Sequence, residues 1–154
     1  MGNVVSDFAK GRFIEKATLP VGTDSLLVVL LKTGSLPTDN TLKRTQFLSG
    51  ILSTGTGAGL EATFTNYARK VVAAASITIV VNTTSDVASL DIADQTWNSA
   101  GGASNDTLGA LLLCYKPAST SLDTAIPILT KHDYSASTTG GNLTASIPSI
   151  ATAT

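Results

Sequence analysis

His132 is the one histidine of the chain, Asp133 follows it, and serines occur throughout. A Ser-His-Asp centre needs the acid to fix the imidazole tautomer while the other ring nitrogen activates the hydroxyl. Here Ile126, Ile128, Thr130, His132 and Tyr134 alternate as one face of a strand. Neighbouring strand residues point to opposite faces, so Asp133 cannot simply orient His132. The expectation is a half-buried histidine with a hydrogen bond. Asp86, Asp91 and Asp94 lie close enough in sequence to meet around a cation. Their spacing lacks the alternating ligands, central glycine and terminal glutamate of an EF-hand, so they read as turn and strand-end residues. Glycoside hydrolysis needs two carboxylates at a defined separation, and nothing pairs the only glutamates, Glu15 and Glu61. Gly55-Thr56-Gly57-Ala58-Gly59 has the glycine content of a phosphate loop, but it precedes a strand and no Lys-Ser/Thr follows it. Cys114 is alone, so it forms no internal disulfide and anchors no metal site by itself. No catalytic, cofactor-binding or metal-ligating set rises above chance. The expectation is a protein that is not an enzyme and takes no cofactor.

Binding is the remaining class. Trp97, the sole tryptophan, stands beside a glycine-rich loop and is a candidate interface anchor. A core position fits it equally well. With Tyr115 and Tyr134 it could instead form a carbohydrate-binding face, although aromatic residues make up only 5% of the chain. Three Asn-x-Thr sequons, at Asn82, Asn105 and Asn142, mark loops.

The elements that would carry these residues are mostly strands. Charged residues are 14% of 154, against about 25% in an average domain. Ser and Thr supply 39 positions and Gly 13. The surface is thus dressed in hydroxyls and bare backbone. Hydrophobic content of 43% argues against disorder, and a net charge of −1 leaves no footprint for nucleic acid. The longest apolar run, Leu26 to Leu31, falls far short of a membrane span, and the first residues carry no secretory pattern.

Ser25 to Leu31 lacks alternation and reads as an inner strand, as does Leu108 to Tyr115. Ile77 to Val81 and Ala88 to Ile92 alternate around Asn82–Asp86 as a hairpin. Ala62 and Phe64 share a parity that Tyr67, Arg69 and Val71 reverse, placing a bulge near Asn66. Pro127 marks the next strand as lying near an edge. Leu143, Ala145 and Ile147 form a last strand, and Ser149 to Thr154 a loose tail. Thr41 to Leu52 reads as a three-turn helix after a Thr38/Asp39 cap. Val5, Phe8, Ala9 and Phe13 sit near helical spacing with Lys10, Arg12 and Lys16 between and after them. Residues 1–17 are therefore read as an arm or short helix, with Lys10, Arg12, Phe13 and Lys16 as candidate contacts. Residues 18–154 form a single mainly β domain, an antiparallel sandwich of which a jelly roll is one form, with a helical insertion near 41–52.

Several segments together carry a resemblance. They are Ala9-Lys10-Gly11-Arg12, Asp24 to Leu31, Ala62 to Lys70 and Asp94-Gln95-Thr96-Trp97. Gly101 to Ala110, His132-Asp133-Tyr134 and Thr138 to Thr144 complete the series. Their order and spacing resemble a family of small virion proteins encoded in the structural modules of tailed bacteriophages, over about residues 9 to 147. The resemblance implies a particle component, assembled in the bacterial cytoplasm. It is most readily a capsid decoration (cement) protein that contacts the major capsid protein and a second or third copy of itself, with no nucleic acid or membrane partner. An adaptor of the neck, tail or baseplate is the alternative.

Overall fold

The computed structural model describes residues 4–6, 23–53, 59–82, 84, 87–117, 122–147 and 151–153. Its centre is built from the two apolar runs. β2 (Ser25–Lys32) and β7 (Thr107–Lys116) pair antiparallel, with Leu27 opposite Cys114 and Leu30 opposite Leu111. Both strands are buried on both faces, so each run dispenses with polar alternation. Leu26, Val28, Leu30, Leu111 and Leu113 point to one face, and Leu27, Val29, Leu31, Ala110 and Leu112 to the other. Each such leucine contributes about 2 kcal/mol through removal from water. β1 (Val4–Val5), β8 (Ile128–Ser137) and β3 (Lys70–Val72) extend this to a five-stranded antiparallel sheet, ordered β1-β8-β7-β2-β3.

The two faces are covered differently. A three-stranded sheet of β4 (Ile77–Asn82), β5 (Val87–Ile92) and β10 (Ala151–Ala153) and a ribbon of β6 (Gln95–Trp97) and β9 (Leu143–Ala145) serve the first. Leu90, Ile92, Trp97, Ala145 and Ile147 join its core, together with Phe64 from a loop. Two short helices, α1 (Asp39–Arg44) and α2 (Leu48–Leu52), cover the second with Leu42, Leu48 and Ile51. The chain is mainly β, with antiparallel sheets and two short helices, and the expected 77–92 hairpin forms, with Ile77 opposite Ile92.

Four local expectations are corrected. The three-turn helix over 41–52 is instead two helices broken at Thr45–Phe47. Thr38 caps the first, accepting from the Thr41 N–H. The Thr45 hydroxyl then turns back to the Thr41 carbonyl at 2.8 Å. Beyond it the Gln46 carbonyl accepts from the Ile128 N–H and Phe47 bridges Pro127. The break is where the chain joins the start of β8, and pairing there outcompetes another helical turn.

In β8 the register shifts so that Cys114 faces Ile128 while Leu113 faces Thr130, leaving Leu129 as an extra residue. Ile128 and Thr130 therefore lie on opposite faces, and the even residues do not form one stripe. Nor is β8 the edge. Val4 and Val5 pair with Lys131 and Thr130, and the Ser6 N–H donates to the Leu129 carbonyl.

Residues 151–153, expected as tail, pair with β5. Val4 and Val5 are extended rather than helical, so the helical spacing of the first segment does not begin there. Residues 1–3 and 7–17 of that arm lie outside the described residues, as do Gly55 to Ala58 and Asp86.

Candidate functional site

His132 and Asp133 do turn to opposite sides. The His132 ring pairs through Nε2 with the Thr130 hydroxyl at 2.9 Å. Burial, and then the neighbouring Lys131, hold it below the ordinary imidazole range. Asp133 instead pairs with Lys131, whose ammonium is buried and also reaches Asp39 at 3.3 Å. This buried cation ties β8 to the start of α1, and nothing in the sequence pattern announces it. Among the described residues no group of three His, Cys, Asp or Glu side chains could hold a metal ion. Among them too, no helix is long and apolar enough to cross a membrane.

Trp97 is corrected from a surface anchor to a core residue. It is 1% exposed, and its Nε1 donates to the Ala68 carbonyl at 2.7 Å. Lys70 lies 5.4 Å over its ring. Tyr115 is buried with its hydroxyl on Asp24, and the Tyr134 hydroxyl donates to the Thr144 carbonyl. The three rings proposed for a sugar face are thus not grouped on the surface. Lys10, Arg12, Phe13 and Lys16 are outside the described residues.

The structure does bring three loops together at one end of the sheets: residues 62–69, 98–106 and 138–142. The Thr65 N–H donates to the Ser104 carbonyl, and the Gly101 N–H to the Thr65 carbonyl at 2.9 Å. The Ala100 N–H reaches the Gly141 carbonyl, and the Gly140 N–H reaches the Ala100 carbonyl. Side chains lock the rest. Asn66 donates to the Ser99 carbonyl, Asn142 accepts from the Ser99 N–H, and Asn105 accepts from the Gly102 N–H. Asp106 accepts from the Thr63 N–H, while Thr138 takes the Asp106 N–H. Two of the three sequon asparagines, Asn105 and Asn142, are therefore the locks of these loops.

Such a network fixes backbone that would otherwise be mobile. It also holds Asn66 and Ser99 at φ of 69° and 48°, conformations that L residues adopt at a cost. What faces outward is small and mostly uncharged: Asn98, Ser99, Gly102, Ala103, Ser104, Thr139, Gly141 and Asn142 are exposed. Asp106, the acid of the cluster, is already engaged. The arrangement has no nucleophile-base pair. It can present a rigid surface that another backbone approaches closely without desolvating charge.

A second cluster braces the platform from the sheet edge. Residues 60–62 and 70–72 both pair along β2, and the chain between them loops out. The Tyr67 hydroxyl fills the gap, accepting from the Leu30 N–H and donating to Glu61. Burial, with Glu61 beside it, pushes that phenol well above its ordinary range. Arg69 then grips Glu61 at 2.7 Å and Asp123 at 2.6 Å, each through two bonds. The bulged strand expected near Asn66 is corrected to this looped excursion, and the expected reversal of parity fails, because Val71 emerges exposed while Val72 is buried like Ala62 and Phe64.

The Arg69 guanidinium holds the Asp123 carboxyl below its ordinary 3.8. A depressed folded value contributes stability that is complete above the unfolded value and lost as pH falls through the folded one. Stability is thus expected to decline from about pH 4 downward. In Asp123→Asn that part of the decline should be missing. Acid titration followed by circular dichroism reads it, and an unchanged profile would mean the clasp carries no linkage.

No family model, curated protein or solved structure matches the chain.

Proposed function

We propose that this chain is a non-enzymatic structural protein of a tailed-bacteriophage virion, acting as a capsid decoration protein on the outside of the head. The observation that carries the reading is the loop platform. Three of the segments that resemble the virion family, Ala62 to Lys70, Gly101 to Ala110 and Thr138 to Thr144, contribute its interlocked loops. In this reading the platform docks on the major capsid protein across neighbouring subunits. Binding to assembled lattice and not to free coat protein stabilises the closed shell by mass action. An oligomer of the chain would add avidity, and the basic segment with Lys10, Arg12, Phe13 and Lys16 would drape over a neighbour.

The platform supplies a direct test. Ala103 and Thr139 are exposed on it. Changing both to glutamate adds two charges that must be desolvated on docking, at a cost of about 1–3 kcal/mol each. The double variant should fold normally yet bind shells lacking the protein at least tenfold more weakly in a co-sedimentation assay. Undiminished binding would move the contact off the platform.

A further inference from the structure

The five-stranded sheet ends in β1 on one side and in β3 on the other. Among the described residues no strand pairs with the outer side of β3. The direction of its backbone groups follows from β2. The Leu30 and Lys32 N–H groups and the Leu30 carbonyl all face the β3 side. Alternation along a regular strand then aims Leu26 and Val28 the same way. Their partners Val72 and Lys70 are the hydrogen-bonded ones, so the Val71 N–H and C=O point outward. Val71 is also one of two large hydrophobic residues that are exposed among the described residues, at 57%; the other is Leu122, at 73%. The pair flanks the Arg69–Asp123 contact, because Leu122 precedes Asp123 and Val71 lies two residues beyond Arg69. Natural edges are blunted by proline, bulges or charge; β3 has no proline and no bulge, its Lys70 ammonium lies over the Trp97 ring, and Val71 itself is uncharged.

We infer that β3 is a self-association edge, joining two copies antiparallel about a two-fold axis through Val71. An isologous contact requires each surface to complement itself. A single outward residue does so: each Val71 N–H donates to the partner's Val71 carbonyl, and both orphan groups of each chain are satisfied. Lys70 then stands opposite Val72 rather than opposite another lysine, so no like charges meet. The neutralised Arg69–Asp123 pair and Leu122 flank the seam. A different partner strand would satisfy the same groups, but self-pairing needs no sequence beyond what the edge already has. Three paired residues are small beside the roughly 800 Å² per partner of a standard complex, so the dimer constant should be about 10–100 μM. This inference depends on the edge alone and not on the virion reading.

Sedimentation equilibrium of the full chain, up to about 0.5 mM, tests it. The expected result is reversible dimerisation to twice the 15.7 kDa chain mass. Val71→Pro removes the outward N–H at a site where an edge strand tolerates proline. Val71→Lys places two charges side by side. Either should weaken dimerisation by about 100-fold. Val71→Cys gives the opposite readout, a disulfide-linked dimer on mild oxidation, since the native Cys114 is buried. A control cysteine at exposed Asn98 should not cross-link. A chain that stays monomeric over the whole range, or a dimer that Val71→Pro and Val71→Lys leave intact, would overturn the proposal. Strand pairing only with coat protein would appear as the first of these outcomes.

Discussion

Trp97→Ala should cost about 4 kcal/mol of folding stability, the largest effect expected of any single substitution. The indole is buried in the core cluster that also holds Phe64, Ala145 and the inner-face residues of the central sheet. Its removal leaves a large cavity and deprives the Ala68 carbonyl of the indole N–H that it accepts from. For a chain of this size the midpoint of thermal unfolding should fall by about 12 °C. Trp97→Phe keeps most of the ring and loses the hydrogen bond, and should cost roughly half as much. An interface anchor would behave in the opposite way. Its loss would spare the melting temperature and weaken attachment, and that pattern would refute the core assignment.

Gly101→Val should follow, at about 3 kcal/mol. The residue has φ of +94°, and an added Cβ would lie 2.2 Å from the Asn105 Oδ1 and 3.0 Å from Thr138. Those neighbours are the locks of the platform, so the substitution must unseat the Gly102 and Asp106 contacts as well as strain the backbone. Hydrogen exchange should accelerate in residues 98–106 and 138–142 well before the central strands are affected. Gly34→Ala is the matched control. Nothing lies within 4 Å of where its methyl group would sit and its φ is ordinary, so a change within about 0.5 kcal/mol is expected. If the two substitutions cost the same, the loops are not interlocked as described.

The central sheet is legible in the sequence because burial on both faces writes a continuous apolar run, as in Leu26–Leu31 and Leu111–Tyr115. The hairpin over 77–92 is equally plain, since period-two alternation survives wherever one face stays wet. Elements decided by long-range pairing are not. The break at Thr45–Phe47 depends on residues 126–128, far along the chain, and β1 and β10 are short segments that take their form from β8 and β5. The bulge at Leu129 undoes the stripe from Ile126 to Tyr134, because one extra residue exchanges the faces of the residues that follow it. Trp97 cannot be assigned from its neighbours in sequence; its burial comes from β9 and the Ala68 loop.

The platform is half visible. Its glycines and asparagines announce turns, and the sequons pick out Asn105 and Asn142. What local pattern cannot supply is that three separate turns bond to one another. The Arg69–Glu61–Asp123 clasp and buried Lys131 escape a sequence reading for the same reason: ion pairs between distant elements leave no periodicity.

Quantitative mass spectrometry of purified particles, comparing this chain with the major coat protein, tests the central claim most directly. A decoration protein should be present in dozens to hundreds of copies, whereas about six or twelve would assign it to the neck, tail or baseplate. Absence from the particles would contradict the structural reading altogether.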